Sequence, residues 1–483
     1  MVGEQKLQPI PQPPGLPIVG NINDIDPELP LLSVMNLADQ YGEIFKLSLM
    51  GKERMIYTTV ALLNEVCDEK RFNKAIAGPL QQVRNGTGGK LLSQPIAEHI
   101  ASRVVRFCSL IDTRILVPAF GPMSIRNMFD DMKDIASQLV LKWARHGPEY
   151  RIPVTDDFTR LTLDTIALCA MGYRFNSFYK DEMHPFVDAM VDFLTESGAR
   201  GQRPGFLAPF YRRQEYKYQE DIEYMRKLSL ELVQNRKDHP QPDKKDLLNA
   251  MINGRDAKTG EGLSDENIVS NMITFLIAGH ETTSGLLSFA FYYLAKNPEY
   301  YRKAQEEVDA VVGDSPITVD HMTKLPYLNA ILRETLRLQP TAPGFTVEPK
   351  QDEVIGGKYF VPKGAPLQAI LPKIHRDPAV YGEDANEFKP ERMLDENFSK
   401  LPPNAWKPFG NGMRACIGRP FAWQEALLVA AMLLQYFNVA PDDPQYNLHI
   451  KQSLTIKPKE FYMRATLRND LTPHSWSALC RQE

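Results

Sequence analysis

The sequence predicts a mainly α-helical protein with a small β portion, organised as a single large domain. Three observations support this fold class. Helical periodicity dominates residues 126–338, and short strand patterns stand before and after that stretch. The 483 residues contain no internal repeat, low-complexity tract or interdomain linker.

Composition narrows the class of protein. Hydrophobic residues make up 43% of the chain, charged residues 24%, and the formal net charge is −4. This mild acidity argues against nucleic-acid binding, which requires a basic excess or stripe. The five cysteines are scattered and lack a C-x-x-C pair, so they form neither a disulfide framework nor a zinc site. Without a signal-type region or an apolar run of about 18 residues, we expect a soluble cytoplasmic protein with no membrane anchor.

The elements follow in order along the chain. A proline-rich entry over residues 9–17 predicts an extended segment laid against the body. Two alternating stretches joined by MGKE predict a β-hairpin over residues 43–59. Irregular sequence with short strands fills residues 339–407. The predicted helices cover residues 130–144, 155–171, 214–237, 264–295, 320–338 and 418–437.

The stretch PFGNGMRACIGRPF places Cys416 directly before the last predicted helix. Pro420 is tolerated only in a first helical turn, so that helix begins close to the cysteine. Unpaired N–H groups and the positive end of the helix dipole stabilise a thiolate there. Gly410 and Gly412 let the backbone turn sharply, and Arg414 adds a cation. Cys416 is therefore either an inert packed thiol or a thiolate presented to a flat, bulky ligand.

The stretch FLIAGHETTSGLLSF puts glycine and polar residues inside an otherwise apolar helix. A glycine within a helix costs about 1 kcal/mol relative to alanine, and buried polar groups add to this cost. Small Ala278 and Gly279 would let a planar ligand lie against the helix. The Thr282 hydroxyl is expected to bond back to the Ala278 carbonyl. The alternative is a helix that is merely kinked by its polar residues.

The cysteine loop resembles the haem-binding loop of the cytochrome P-450 family, F-x-x-G-x-R-x-C-x-G. Its fixed positions are Phe409, Gly412, Arg414, Cys416 and Gly418. The resemblance implies the cytochrome P-450 fold, haem b as the cofactor, and Cys416 as the axial thiolate ligand of its iron. It also implies that Phe409 packs near the sulfur and that Arg414 pairs with a haem propionate.

The glycine-containing helix is similar to the same family in its oxygen-activation motif, [A/G]-G-x-[D/E]-T-T, which starts at Ala278. By this resemblance Thr282 and Glu281 are catalytic: Thr282 stands at the dioxygen site and Glu281 begins the proton path. Ala278 and Gly279 would lie against the haem. Lys74 matches a lysine that the family places near a haem propionate.

An E-x-x-R pair, Glu334 and Arg337, lies on one helical face. The same spacing recurs elsewhere in the chain, but only this pair precedes FKPERM in the order that the family shows. By resemblance Arg392 completes a buried three-way network. This network is expected to hold the core beside the haem and to take no part in the chemistry.

Stretches such as RLTLDTIALCAMGYRFNSFY and RLQPTAPGF resemble the haem domain of self-sufficient fatty-acid hydroxylases, in which a diflavin reductase is fused to the haem domain. The resemblance covers residues 1–470. It implies hydroxylation of a fatty acid or similar amphiphile, often subterminal, by O2. NADPH would supply electrons through the FAD and FMN of a reductase. No reductase domain stands in this chain, so the reductase is expected in trans or as a missing fused domain.

Several substrate contacts follow from the same resemblance. An Arg/Tyr pair at the channel mouth anchors the fatty-acid carboxylate in that subfamily. Here Lys52 takes the place of the arginine and Ile56 that of the tyrosine, which keeps the charge and loses the hydroxyl. Val83 and Ala278 are expected to line the substrate pocket. Gly344 replaces a larger residue near the oxygen-binding face, which should widen the pocket.

Residues 87–113 depart from the family pattern. Relatives carry a shorter loop and a helix with W-x-x-x-H, whose side chains face a haem propionate; this segment has no tryptophan. We expect a locally wrong reading frame or a retained intron, which would also explain the tail over residues 471–483. Poor haem loading and weak activity should follow. The alternative is family divergence, with His99, Arg103 or Arg106 serving the propionate.

Three other functions stay open. The chain could oxidise a bulkier secondary-metabolite intermediate, or it could be a poorly active or non-catalytic haem-binding protein because of residues 87–113. Peroxide-driven or isomerase chemistry without a reductase is the third. The presence of Glu281 and Thr282 argues against a non-catalytic protein and against peroxide-driven chemistry.

Overall fold

The computed structural model describes residues 7–75, 82–83, 86, 110–200, 203 and 210–468. The atypical segment over residues 87–113 lies outside the described residues except for the backbone of its last four. The tail over residues 471–483 lies outside them entirely. The side chain of Arg414 is also outside the description.

Helices dominate the described chain, as the sequence predicts. The α-helices are α1 (Pro30–Tyr41), α2 (Val60–Val66), α3 (Leu110–Ala119), α4 (Pro122–Arg126), α5 (Phe129–His146), α6 (Val154–Met171), α7 (Pro185–Arg200), α8 (Arg212–Asp238), α9 (Leu247–Asn253), α10 (Asp265–Lys296), α11 (Pro298–Val311), α12 (Pro326–Leu338), α13 (Leu371–Ile374), α14 (Pro378–Tyr381), α15 (Asp395–Phe398) and α16 (Arg419–Tyr436). Short 3-10 helices cover Ile22–Asp24, Val319–Lys324, Pro390–Met393 and Gly412–Arg414.

The strands form one larger sheet and three small ones. They are β1 (Ile44–Leu49), β2 (Lys52–Tyr57), β3 (Phe72–Ala75), β4 (Ile152–Pro153), β5 (Gly344–Pro349), β6 (Glu353–Ile355), β7 (Tyr359–Val361), β8 (Leu367–Ile370), β9 (Phe437–Pro441), β10 (Ile450–Gln452), β11 (Ile456–Pro458) and β12 (Tyr462–Leu467). The larger sheet has the order β1-β2-β8-β5-β3, with β2 and β8 parallel and the other neighbours antiparallel. The small sheets are β4-β12-β9, β6-β7 and β10-β11.

The predicted hairpin is confirmed as β1 and β2, joined by a two-residue turn. Met50 and Gly51 have φ values of 53° and 77°. Positive φ at both turn positions matches the twist of the two strands. The turn is shorter than the MGKE connection that the sequence suggested, because Lys52 and Glu53 pair with β1.

Five of the six predicted helices are confirmed in α5, α6, α8, α10 and α16. The prediction of one helix over residues 320–338 is wrong. A 3-10 helix ends at Lys324, and α12 begins at Pro326. Proline lacks the N–H group that a continuing helix needs, and it disfavours helical geometry in the residue before it.

The main core surrounds α10, which packs along α6 and also contacts α8, α12, α16 and β11. The proline-rich entry lies against the body as expected, since the Lys46 N–H donates to the Pro11 carbonyl at 2.8 Å. Among the helices that the structure describes, none is long and apolar enough to cross a membrane.

Candidate functional site

Cys416 lies at the end of a tight loop that leads into α16. Gly410 and Gly412 have φ values of 78° and 60°, a backbone geometry that glycine adopts without steric cost. The Cys416 N–H donates to the Phe409 carbonyl at 2.8 Å and closes the loop. Because α16 begins at Arg419, the cysteine directly precedes the helix, as the sequence predicts.

Two residues after α2 hold this loop in place. The Met413 N–H donates to the Glu69 carboxylate at 2.9 Å, and the Asn411 amide donates to the Cys67 carbonyl at 2.8 Å. A Cβ on Gly412 would lie 2.1 Å from the Glu69 carboxylate, so this close approach also requires glycine. Sequence reasoning missed Glu69 because it stands 344 positions from its partner and belongs to no motif.

Phe409 belongs to an aromatic cluster beside the loop. Its ring centroid lies 6.0 Å from those of Trp406 and Trp423. The Arg419 guanidinium lies 5.6 Å from the Phe409 ring, within range of a cation–π contact. This packing fixes Phe409 and therefore the carbonyl that accepts from the Cys416 N–H.

Opposing effects act on the Cys416 thiol. Burial raises its pKa, while the N–H groups of Gly418 and Arg419 and the positive charges of Lys74 and Arg419 lower it. The desolvation of the sulfur by its protein surroundings is the larger effect, so the pKa of the thiol is raised. The residue as a whole still reaches the surface. The thiolate expected at the helix start stays a prediction. A coordinating metal deprotonates a thiol outright, so an exposed cysteine among N–H donors and cations fits a ligand to iron.

Lys74 lies close to the cysteine loop, and the propionate contact that the family resemblance implies for it stays a prediction. It is exposed on β3, and its charge acts on Cys416. Lys74, Phe345, Gly410 and Asn411 line a small cavity of about 30 Å³. Because the Arg414 side chain is outside the description, the propionate contact predicted for it stays a prediction.

One residue in the middle of α10 is exposed to solvent. Ala278 is exposed, although Ile277 before it and His280 after it are buried. The Thr282 hydroxyl donates to the Ala278 carbonyl at 2.9 Å, which confirms the expected hydrogen bond. A Cβ on Gly279 would lie 2.8 Å from Ile166 Cγ1 of α6. Packing against α6 thus accounts for the absence of a side chain at Gly279, and its contact with a planar ligand stays a prediction.

The Glu281 carboxylate is hydrogen-bonded to Lys457 of β11 and to Thr455, which directly precedes that strand. Its carboxylate accepts from Lys457 Nζ at 3.1 Å and from the Thr455 hydroxyl at 2.6 Å, and His280 Nε2 lies 3.4 Å away. Burial alone would raise the pKa of Glu281, but Lys457, His280 and Thr455 hold it well below its usual range. Sequence reasoning missed Lys457 and Thr455, because they lie 176 and 174 positions from Glu281.

The structure brings the three residues of the E-x-x-R network together. Glu334 and Arg337 have no exposed surface and share two hydrogen bonds of 2.7 and 2.8 Å. Arg337 also donates to the carbonyls of His375 and Ala385. Arg392 Nε lies 3.6 Å from the Glu334 carboxylate. The buried charges are therefore paired and hydrogen-bonded, which such a network needs to be stable.

His375 connects this network to the cysteine loop and was not predicted. Burial is the main cause that lowers the pKa of His375 to about 3, and the positive charge of Arg337 adds to it. The imidazole is therefore neutral. Its Nε2 accepts from the Lys407 N–H at 3.0 Å, and its Nδ1 lies 3.2 Å from the Arg337 carbonyl. A single histidine in a proline-spaced stretch carries no spacing signal that would reveal this bridge.

The predicted substrate residues have mixed outcomes. Lys52 is exposed at the start of β2, whereas Ile56 is only 1% exposed and belongs to an apolar core cluster. Val83 is buried in the main core. A Cβ on Gly344 would lie 2.3 Å from the Ala369 carbonyl oxygen. Close pairing of β5 with β8 therefore accounts for the glycine, and the expected widening of the pocket stays a prediction.

Comparison with known proteins agrees with this geometry. The family model for cytochrome P450 matches residues 10–465. A bifunctional cytochrome P450/NADPH–P450 reductase of Aspergillus oryzae is 58% identical over 479 residues, 98% of this chain and 43% of the relative. A self-sufficient cytochrome P450 monooxygenase of Exserohilum turcicum is 55% identical over 468 residues, 97% of this chain and 43% of the relative. A bifunctional relative from Fusarium oxysporum is 55% identical over 469 residues, with coverages of 96% and 43%.

A cysteine exposed just before one long helix, in a chain whose other long helix carries a threonine and an acid in its middle, is the arrangement expected of a haem-thiolate protein. The chain belongs to the cytochrome P450 family. It spans less than half the length of the curated relatives that it matches.

Proposed function

We propose that this chain is the haem domain of a monooxygenase that inserts one oxygen atom of O2 into a C–H bond of a fatty acid or similar amphiphile, often at a subterminal carbon. The Cys416 loop carries this proposal, because it holds an exposed cysteine at the start of α16. The names of the relatives, which include self-sufficient cytochrome P450 monooxygenases, support the reaction class.

Named residues would hold haem b. Cys416 would ligate its iron through the sulfur, Lys74 and Arg414 would pair with its propionates, and the exposed residue Ala278 would contact it. When bound, the haem supplies the activation of O2 and the oxidation of the C–H bond. The Cys416 thiolate would donate electron density to the iron and so support this oxygen activation.

Thr282 and Glu281 provide a hydroxyl and a carboxylate near Ala278 that can form hydrogen bonds with water. Thr282 donates its hydroxyl proton to the Ala278 carbonyl, which leaves its oxygen free to accept a hydrogen bond from water. Glu281 is ionised, because Lys457, His280 and Thr455 hold its pKa well below its usual range. By resemblance to the family it would stand at the start of the proton path. Lys457 holds the Glu281 carboxylate in position, and Thr455 donates to its second oxygen.

Electrons would come from NADPH through the FAD and FMN of a diflavin reductase, either in trans or as a fused domain. Relatives that combine both functions in one polypeptide support this partner. The scattered cysteines favour a cytoplasmic location for the reaction, since they provide no disulfide framework.

Two measurements test the proposed function. A long-chain fatty acid should shift the ferric iron of the haem-loaded protein toward high spin, because the acyl chain displaces water from the site. NADPH with a diflavin reductase should then give a hydroxylated product. Two results would contradict the proposal. One is a product that forms with peroxide but not with NADPH and the reductase, and the other is a spin shift that occurs only with bulkier polycyclic ligands. The second result would favour oxidation of a secondary-metabolite intermediate.

A further inference from the structure

Two side chains at the start of β11 point to α10 together. Ile456 is fully buried in an apolar core cluster, and Thr455 and Lys457 stand on either side of it. Side chains alternate along an extended chain, so Thr455 and Lys457 share the opposite face. Thr455 donates to one Glu281 oxygen at 2.6 Å, and Lys457 Nζ donates to the other at 3.1 Å. One face of this segment therefore meets a single carboxylate of α10.

A glycine lets β11 come this close to the helix. Gly285 follows Glu281 by one turn of α10, so the two residues lie on the same face. A Cβ on Gly285 would lie 2.9 Å from Thr341 Cγ2 and 3.0 Å from the Ile456 carbonyl oxygen. The Ile456 N–H donates to the Thr341 carbonyl at 3.0 Å, so both segments approach the helix together. The missing side chain at Gly285 thus allows β11 to lie within reach of Glu281.

The Lys457 ammonium is withdrawn from water and held on two sides. Lys457 is 8% exposed, and its Nζ also donates to the Thr159 hydroxyl of α6 at 3.2 Å. Thr159 donates its own proton to the Thr155 carbonyl at 2.7 Å, which leaves its oxygen free to accept. A buried ammonium needs hydrogen bonds and an anionic partner, since burial without them costs free energy. Glu281 is that partner, and α6 fixes the ammonium beside it.

Lys457 also supplies the charge that keeps Glu281 ionised. Burial raises the pKa of Glu281, and the charge of Lys457 is the largest of the effects that lower it, ahead of those of His280 and Thr455. His280 Nδ1 lies 2.8 Å from the Leu276 carbonyl. A neutral imidazole that donates there carries no proton on Nε2 to give to Glu281. The ionised state of the carboxylate therefore depends chiefly on Lys457.

We propose that Lys457 is a positioning residue for proton delivery, which fixes the Glu281 carboxylate beside β11 and keeps it charged during turnover. This inference rests on the proposed monooxygenase function and adds the residue that controls Glu281. Without Lys457 the carboxylate would stay buried and lose its cation, so a proton would bind in its place. Glu281 would then be neutral at pH values where the unaltered chain holds it ionised.

Infrared spectra can report the protonation of Glu281 without turnover. The difference between spectra of Lys457→Met at pH 6 and pH 8 should contain a C=O band of a carboxylic acid. This band should be absent from the unaltered chain and from the double variant Lys457→Met/Glu281→Gln. Lys451→Met is the matched control, because Lys451 stands opposite Lys457 on β10 and is exposed. It should give the spectrum of the unaltered chain.

The pH profile of coupling tests the same role in the haem-loaded protein. Product per NADPH should fall about threefold or more in Lys457→Met at pH 6, and less at pH 8, because the carboxylate is protonated only at the lower pH. Lys457→Arg keeps the charge and should stay close to the unaltered protein. Gly285→Ala should give a smaller loss, since β11 must shift to admit the methyl group. Gly198→Ala, in open space on α7, is its control.

Three results would overturn the inference and leave the proposed function standing. These are an unchanged pH profile in Lys457→Met, a carboxylic acid band that persists in the double variant, or an equal loss of coupling in Lys451→Met. If Lys457→Met does not fold, Gly285→Ala decides the matter by the same infrared comparison, and the absence of the band there would overturn the inference. Haem-loaded unaltered protein that gives no product with NADPH and the reductase would instead contradict the proposed function.

Discussion

Thr282 is the residue at which the sequence motif and the geometry agree most directly. Its hydroxyl is bonded to the Ala278 carbonyl, at the point where α10 is exposed in its middle. Glu281 beside it is anchored away from this bond, on Lys457 and Thr455. The two adjacent polar side chains therefore have different tasks: one presents a hydroxyl oxygen to the site, and the other holds a negative charge near β11.

Replacing Thr282 with alanine should leave haem content near normal and uncouple turnover. The variant loses the hydroxyl that orders water near Ala278, so reduced oxygen should leave as peroxide in place of product. The ratio of product to NADPH consumed measures this. Thr274→Ala is a matched control, because Thr274 makes the same hydrogen bond to a carbonyl of α10 two turns earlier. An unchanged ratio in Thr282→Ala would show that the relay is misassigned.

At the scale of elements, the fold is held by a contact between α12 and the segment that leads to Cys416. His375 lies between them: its Nε2 accepts from the Lys407 N–H, and its Nδ1 lies against the Arg337 carbonyl. Since both bonds use a neutral imidazole, a proton on His375 would leave Lys407 without its acceptor. The position of the cysteine loop thus depends on the protonation of one buried histidine.

The free energy of unfolding should therefore fall as pH drops below about 6.5. The unfolded state binds a proton on His375 at its ordinary pKa of 6.5, whereas the folded state does so only near 3. Stability is full above 6.5 and declines toward 3, by up to about 1.4 kcal/mol per pH unit. Urea unfolding at pH 7 and pH 5 measures this. His375→Gln should lose this part of the pH dependence, while His146→Gln, at an exposed site, should keep it. Equal pH dependence in all three proteins would refute the role of His375.

Elements that depend on local patterns were predictable, and contacts between distant segments were not. The hairpin and α10 follow from alternation and helical spacing, which neighbouring residues encode. The break at Pro326 is also local, and the prediction overlooked it. In contrast, the Glu281–Lys457 and Met413–Glu69 contacts join segments far apart in the chain. Gly344 shows the same limit, because only the path of β8 reveals that an added Cβ would lie 2.3 Å from the Ala369 carbonyl oxygen.

At the scale of the whole molecule, we expect haem retention to depend on charged partners from several segments. Lys74 of β3 and Arg414 of the cysteine loop are the expected partners, and the sequence of residues 87–113 lacks the W-x-x-x-H motif of the family. Leaving a buried charged group without one of its partners costs a few kcal/mol, about ten- to a hundredfold or more in affinity. The rest of the chain retains the family pattern, so folding itself should not depend on this segment.

The chain as written should therefore purify with well under one haem per protein and with weak activity. Haem content per protein, measured after denaturation and extraction, tests this expectation. Exchanging residues 87–113 for the matching segment of the Aspergillus oryzae relative should restore loading. A full complement of haem in the unaltered chain would contradict the prediction, and would point to Arg103 or Arg106 as replacement contacts for the propionate.

The central claim is that Cys416 ligates haem iron as a thiolate, and the reduced carbon monoxide difference spectrum tests it most directly. Normalised to bound haem, the unaltered chain should show the thiolate-type Soret band. Cys416→Ser should lack it, because a hydroxyl donates too little electron density to the iron. Cys67→Ser, at the other cysteine near the loop, should keep the band. A Cys416→Ser protein that retains the thiolate-type band, or an unaltered haem-loaded chain that lacks it, would contradict the account.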